Sequence, residues 1–160
     1  TVRGKVTKTK PLRRIILDPR AKTPLTARVV ADEFAAQTTI VVTENAPAKR
    51  IDALSRKVSV LVAPLTEGKI DLRWLMKRLG SEEVTSLLVE GGGETNALML
   101  EQGLAHRVAF FYAPKIIGGR DARKGVAGVG VPDVAHKIRL SEIVYRKLGE
   151  DLLLTARVDN

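Results

Sequence analysis

TTIVVTENAPAKRIDALSRKVSVLV, residues 38–62, decides the fold class. Its first six residues are all β-branched and end at Asn45 and Pro47, which predicts a buried strand over 38–43. Over 48–57 the apolar residues Ile51 and Leu54 recur at helical spacing, and VSVLV at 58–62 returns to strand before Pro64 closes it. Strand, helix and strand in one short stretch form the repeating unit of a parallel sheet.

The same alternation continues on both sides. Upstream, residues 14–18 (RIILD) predict a strand ended by Pro19. Downstream, Asp71 can cap a helix whose stripe is Leu72, Leu75, Met76 and Leu79, with Trp74 beside it and Gly80 as its stop. A strand over 86–90 leads into Gly91, Gly92 and Gly93 and a helix running to about Gln102, stopped by Gly103. Then come a strand at 108–113 cut by Pro114, a glycine-rich loop over 115–133, and strands at 139–147 and 152–158 joined through Gly149, Glu150 and Asp151 as an antiparallel hairpin. These elements predict a three-layer α/β domain: a mixed sheet with a mainly parallel centre, helices on both faces and a C-terminal antiparallel hairpin. At 160 residues, one domain over 1–160 is the expectation.

Composition removes several chemistries. With no cysteine there is no disulfide, thiol nucleophile or cysteine-ligated zinc, and His106 and His136 form no metal-binding pair, so no metal is expected. The apolar runs are far shorter than the ~20 residues of a membrane span, so no membrane partner is expected. The net charge of +9 is concentrated: residues 1–28 hold nine basic side chains against Asp18 alone, and the rest of the chain holds eighteen basic against seventeen acidic. A solvated basic arm and an anion-binding edge both fit that segment. Nucleic acid is disfavoured because no aromatic residue interleaves with the cations.

LLVEGGGETN, residues 87–96, is the segment richest in chemistry. Three glycines after a strand let backbone N–H groups approach an anion at a helix start, and Glu90 ahead of them can accept hydrogen bonds from a polar ligand. A tight strand-to-helix connection explains the same glycines without a ligand. The GxGxxG fingerprint fails, since Asn96 stands at its third glycine, and no Walker lysine follows. Residues 115–130 (KIIGGRDARKGVAGVG) carry Arg120, Arg123 and Lys124 and read either as a lid over an anionic ligand or as a solvated loop.

Thr1-Val2-Arg3, residues 11–18 (PLRRIILD), Thr23-Pro24-Leu25, residues 88–93 (LVEGGG), residues 113–119 (APKIIGG) and the closing 149–154 (GEDLLL) occur in an order that resembles the reductase domain of the bifunctional riboflavin biosynthesis deaminase/reductase. The resemblance implies a dihydrofolate-reductase-like fold and NADPH-dependent reduction of 5-amino-6-(5-phospho-D-ribosylamino)uracil to the ribitylamino product, with hydride delivered to the sugar C1. A reductase of the diaminopyrimidinone analogue is the alternative enzyme, and a non-catalytic nucleotide- or nucleic-acid-binding module using the basic N-terminal segment is the alternative outside catalysis. By the same resemblance Arg3 and Glu90 contact substrate, while Gly92, Gly93, Glu94, Thr95, Asn96, Ala97 and Leu98 contact NADPH. It further implies a cytoplasmic homodimer. Two departures are visible: Pro19 stands where the family commonly has a serine near the cofactor, which makes Arg20 and Lys22 candidates for the 2′-phosphate, and the family's domain begins upstream of Thr-Val-Arg. The chain is therefore expected to be N-terminally truncated, with a strand and helix and, further upstream, a deaminase domain belonging to the same polypeptide.

Overall fold

The computed structural model describes residues 12–159, so Arg3 and the lysines at 5, 8 and 10 lie outside the described residues. The chain divides into two compact units, Thr1–Val84 and Thr85–Asn160.

The first unit is built on a parallel sheet of β1 (Arg14–Leu17), β2 (Thr38–Thr43) and β3 (Ser59–Ala63), in the order β1-β2-β3. Central β2 pairs Ile15 with Thr39 on one edge and Ile40 with Val60 on the other. Ile40, Val41 and Val42 are fully buried, so both faces of β2 are covered, as a continuous β-branched run requires. On one face Ile40 and Val42 pack with Val30 of the short helix α1 (Arg28–Ala31) and Leu54 of α2 (Ala48–Ser55). On the other, Leu75 and Leu79 of α3 (Leu72–Ser81) line a gap of about 210 Å³ together with Ile15, Val41 and Leu61. Helices thus flank both faces of this sheet, as expected.

Polar groups buried with β2 are satisfied. The Thr38 hydroxyl donates to the Val29 carbonyl at 2.7 Å, and the Thr43 hydroxyl donates to the Pro19 carbonyl at 2.8 Å. Arg14 grips Asp32 bidentately, at 2.7 and 2.8 Å, and donates to the Val29 carbonyl at 3.2 Å, tying β1 to the end of α1.

Asp71 caps α3, its carboxylate accepting from the Trp74 amide at 2.9 Å. Gly80 lies inside that helix rather than ending it. The stop is Glu83, held left-handed at φ 61°, with its amide on the Gly80 carbonyl and the Val84 amide on the Leu79 carbonyl. Before α3, β4 (Leu65–Thr66) and β5 (Lys69–Ile70) form a small antiparallel hairpin that the sequence pattern does not announce, since Glu67 occupies a left-handed turn position at φ 52°.

In the second unit α4 (Gly93–Glu101) precedes an antiparallel sheet of β6 (Arg107–Tyr112), β7 (Arg139–Leu148) and β8 (Asp151–Asp159), ordered β6-β8-β7. The β7–β8 hairpin turns on Gly149 (φ 64°), first of two turn residues, and a bulge at Glu142 interrupts its register between Ser141 and Val144. The expected strand at 86–90 is not formed: the segment pairs with no strand among the described residues, and Leu88 is 71% exposed. An apolar run supplies the side chains of a strand but not the neighbouring edge that its backbone must bond.

Five carboxylates among the described residues sit below their ordinary values: Asp32 because Arg14 donates to it, Asp71 because the Trp74 amide donates to it, Glu82 because Arg78 and Arg13 do, Asp133 because His136 does, and Asp18 because, against a burial that pushes it upward, hydrogen bonds led by the Thr23 hydroxyl win. A depressed native value means stability that is present above the unfolded value and lost as pH falls through the native one. Urea midpoints are therefore expected to hold from neutrality to about pH 5 and fall below it, and Asp32→Asn to flatten that fall. Leu54→Ala, emptying a fully buried site between α2 and β2, is expected to lower the unfolding free energy by about 2–5 kcal/mol.

Candidate functional site

Two places carry the candidate residues, and each is described within its own unit. The first lies beyond the carboxyl ends of β1 and β2, the edge where open parallel sheets bind ligands. There a cleft of about 610 Å³ is lined by residues that include Arg20, Lys22, Asn45, Pro47 and Arg50.

Residues 18–23 form one wall and are held from several directions. The Asp18 amide donates to the Val41 carbonyl at 2.9 Å, while its carboxylate accepts from both the amide and the hydroxyl of Thr23 at 2.6 Å. Ala21, buried and left-handed at φ 53°, turns the chain. From the first turn of α2, Arg50 donates to the Ala21 carbonyl at 3.0 Å and to the Thr23 carbonyl at 2.7 Å. Arg50 is thus a strap for this wall, a role that needs its planar fork and that its charge alone did not reveal in the sequence.

Pro19 is placed with equal definition. Its carbonyl accepts from the Thr43 amide at 3.2 Å and the Thr43 hydroxyl at 2.8 Å, so both lone pairs are engaged and its ring is the part left to face a ligand. Arg20 and Lys22, both exposed on the cleft, are cationic side chains placed to meet an anion.

The second place is the start of α4. Glu90, expected at the end of a strand, is instead exposed in an irregular segment, so its role does not come from burial. Gly91 packs against Thr95, whose Cβ would stand 2.7 Å from a Cβ added at Gly91. Gly92 is the N-cap, without a side-chain cap, and Glu94 lies in the first turn. Ala97 is buried, while Thr95, Asn96 and Leu98 are half-buried. The structure brings Gly92 through Leu98 together as one helix start.

The glycine-rich loop is fastened to that start. The Ala127 amide donates to the Gly93 carbonyl at 3.0 Å, and the Asn96 side chain donates through Nδ2 to the Gly125 carbonyl at 2.8 Å. A Cβ on Gly93 would fall 2.5 Å from the Lys124 carbonyl oxygen. Gly93 is therefore needed for the chain's own close approach, a use that the glycine pattern by itself does not distinguish from the approach of a ligand.

The two histidines lie apart from both places. The His106 carbonyl accepts from the Val158 amide at 2.9 Å, and His136 Nδ1 lies 2.8 Å from Asp133, which caps the short turn Val134–His136. Among the described residues no helix is long and apolar enough to cross a membrane.

Residues 1–154 match the family described as the RibD C-terminal domain. The chain is 40% identical over 141 residues to the 2,5-diamino-6-ribosylamino-4(3H)-pyrimidinone 5′-phosphate reductase of Methanothermobacter thermautotrophicus, covering 88% of this chain and 63% of that one. It is 33% identical over 144 residues to the riboflavin biosynthesis protein RibD of Actinobacillus pleuropneumoniae, covering 88% of this chain and 38% of the relative. The chain thus spans less than two thirds of the length of these relatives. Among solved structures, Acinetobacter baumannii RibD matches with a TM-score of 0.69 at 20% identity, over 92% of this chain and 38% of its own. A pyrimidine reductase-like protein of Corynebacterium diphtheriae matches with a TM-score of 0.72 at 15% identity, over 92% and 61% of the two chains.

Removing the Arg50 strap leaves two carbonyls without their donors, so Arg50→Ala is expected to speed amide exchange of residues 18–23 about tenfold or more while β2 amides stay protected. Equal exchange in the two proteins would show that the strap does not hold the wall.

Proposed function

The chain belongs to the RibD C-terminal domain family, and from that membership we propose that it is an NADPH-dependent reductase of riboflavin biosynthesis. Its fold is the dihydrofolate-reductase-like one of the RibD reductase domains, with mixed parallel and antiparallel strands and a C-terminal antiparallel hairpin. The proposed reaction converts 5-amino-6-(5-phospho-D-ribosylamino)uracil to its ribitylamino product. The observation that carries this reading is the family match over 1–154, nearly the whole chain.

The residues present fit a phosphorylated dinucleotide. Arg20 and Lys22 offer cations on a cleft at the carboxyl edge of a parallel sheet, where a 2′-phosphate can be paired in partly solvated surroundings. In the second unit, the start of α4 presents backbone N–H groups at Gly93 and Glu94 with no capping side chain in front of them. When bound, NADPH supplies the hydride that reduces the sugar C1. The chain then has to hold and orient the reactants, which accounts for the lack of an acid/base motif. Arg3 is proposed to pair with the substrate's phosphate, which suits a guanidinium, and Glu90 to accept a hydrogen bond from the substrate. Gly92, Gly93, Glu94, Thr95, Ala97 and Leu98 are proposed as the cofactor's neighbours. Residues 1–160 are proposed to be a single reductase domain that acts as a cytoplasmic homodimer, and the polypeptide to carry a deaminase domain upstream.

A second substrate is favoured by one finding, the 40% identity to a reductase of the 2,5-diaminopyrimidinone. The two substrates share the phosphoribosylamino group and differ on the pyrimidine ring, so the same hydride chemistry serves both.

NADPH is expected to raise the melting temperature, and Arg20→Ala with Lys22→Ala to weaken NADPH about tenfold or more while leaving NADH nearly unchanged. Arg3→Ala and Glu90→Ala are expected to raise KM for the phosphoribosylaminopyrimidine. Competition between the two pyrimidines separates the readings, the true substrate being the one consumed. Absence of any stabilisation by NADPH or of turnover with either pyrimidine would refute the proposal.

A further inference from the structure

We infer that Asn96 is a positioning residue: it latches the glycine-rich loop onto the start of α4 instead of serving as a ligand to the cofactor. The consequence for turnover rests on the reductase reading above; the latch itself does not.

Asn96 lies on the first turns of α4, half-buried, and its Nδ2 donates to the Gly125 carbonyl 2.8 Å away. A carbonyl can face only the nitrogen of the side-chain amide, so one of its two N–H groups is committed to the loop. Three further contacts close the same seam. The Ala127 amide donates to the Gly93 carbonyl at 3.0 Å, and the Gly128 amide reaches Glu94 Oε1 at 3.4 Å. Gly128 itself is left-handed, at φ 74°, where an added Cβ would come within 2.7 Å of the Ala97 Cβ and 2.8 Å of Glu101 Oε1.

The seam joins two parts of the chain about thirty residues apart, and the loop makes little else. Between 115 and 123 its backbone amides donate, among the described residues, from Lys115 to the Ala113 carbonyl at 2.7 Å and from Ala122 to the Gly119 carbonyl at 3.3 Å, and every residue is exposed. A long exposed segment, bearing Lys115, Arg120 and Arg123, therefore runs from the end of β6 to an anchor at 124–128. Its conformation is limited chiefly by that anchor, and local opening of such a segment costs little once the anchor goes.

The latch also explains why two glycines and an asparagine recur at positions that fit no phosphate-loop pattern. Gly93 and Gly128 are the places where backbone meets backbone or helix, and Asn96 supplies a side-chain donor between them.

The test is limited trypsin digestion of the ligand-free protein and of Asn96→Asp, which keeps the size and removes the donor. Cleavage after Arg120, Arg123 and Lys124 is expected to quicken about tenfold, while sites such as Lys57 and Arg78 in the first unit are cut at the original rate. Gly128→Ala, acting through a clash instead of a lost bond, is expected to do the same and decides the matter if Asn96→Asp does not fold. Unchanged cleavage of the loop in the folded variants would overturn the latch. In steady-state assays Asn96→Asp is expected to raise KM for NADPH several-fold with kcat within about twofold. A fall in kcat at unchanged KM would instead assign Asn96 to the reacting complex and overturn its role as a latch. Should the protein reduce neither pyrimidine, the reductase reading fails and the digestion alone decides the latch.

Discussion

Two-sided pairing of β2 is the constraint on which the first unit depends. A strand whose Ile40, Val41 and Val42 are fully buried cannot leave either edge to water, so β1 and β3 must both lie beside it, and both do so in parallel. Parallel neighbours require crossovers, and the crossovers bring the ends of β1 and β2 out at one edge. The wall from Asp18 to Thr23 is what β1 becomes on leaving that edge. Its bonds return to β2 through Val41 and Thr43, so the cleft's shape is an extension of the sheet's own hydrogen bonding.

The second unit uses glycine for a different purpose. In the first, backbone polar groups are satisfied by ladder bonds and by side chains such as Arg50 and Thr43. In the second, a loop with almost no side-chain burial is held by close approach at Gly93 and Gly128 and by the amide of Asn96. Glycines that suggest a ligand site by composition thus act first on the protein itself. Any ligand at the α4 start meets a surface already shaped by residues 124–128.

Elements with a strong local period were readable in the sequence: β2 from its unbroken β-branched run, α2 from Ile51 and Leu54, α3 from its cap and stripe, and the C-terminal hairpin from Gly149. The rest depended on partners that no local pattern encodes. Residues 86–90 have a strand's side chains and no described edge to bond, and Gly80 stays within α3 because the left-handed turn falls on Glu83. At the sites, Arg20 and Lys22 could be picked out by their charge beside a strand end, and the glycine turn by its composition. Arg50 was not picked out, and Asn96 was picked out only as a cofactor contact, because each acts on carbonyls 27 to 29 residues away in the chain. The net charge of +9 also acquires a narrower meaning, since Arg13 and Arg14 are committed to Glu82 and Asp32, while Arg20 and Lys22 remain on the cleft.

The proposed reaction is the delivery of hydride from a nicotinamide cofactor to a sugar carbon. The most direct measurement follows the hydride. The intact protein would be incubated with the phosphoribosylaminopyrimidine and NADPH deuterated in turn at each face of the nicotinamide C4, and the product examined by mass spectrometry and NMR. The account predicts one deuterium at C1 of the new ribityl chain from one of the two labelled faces. Product without deuterium from either face, or no ribityl product at all, would contradict it.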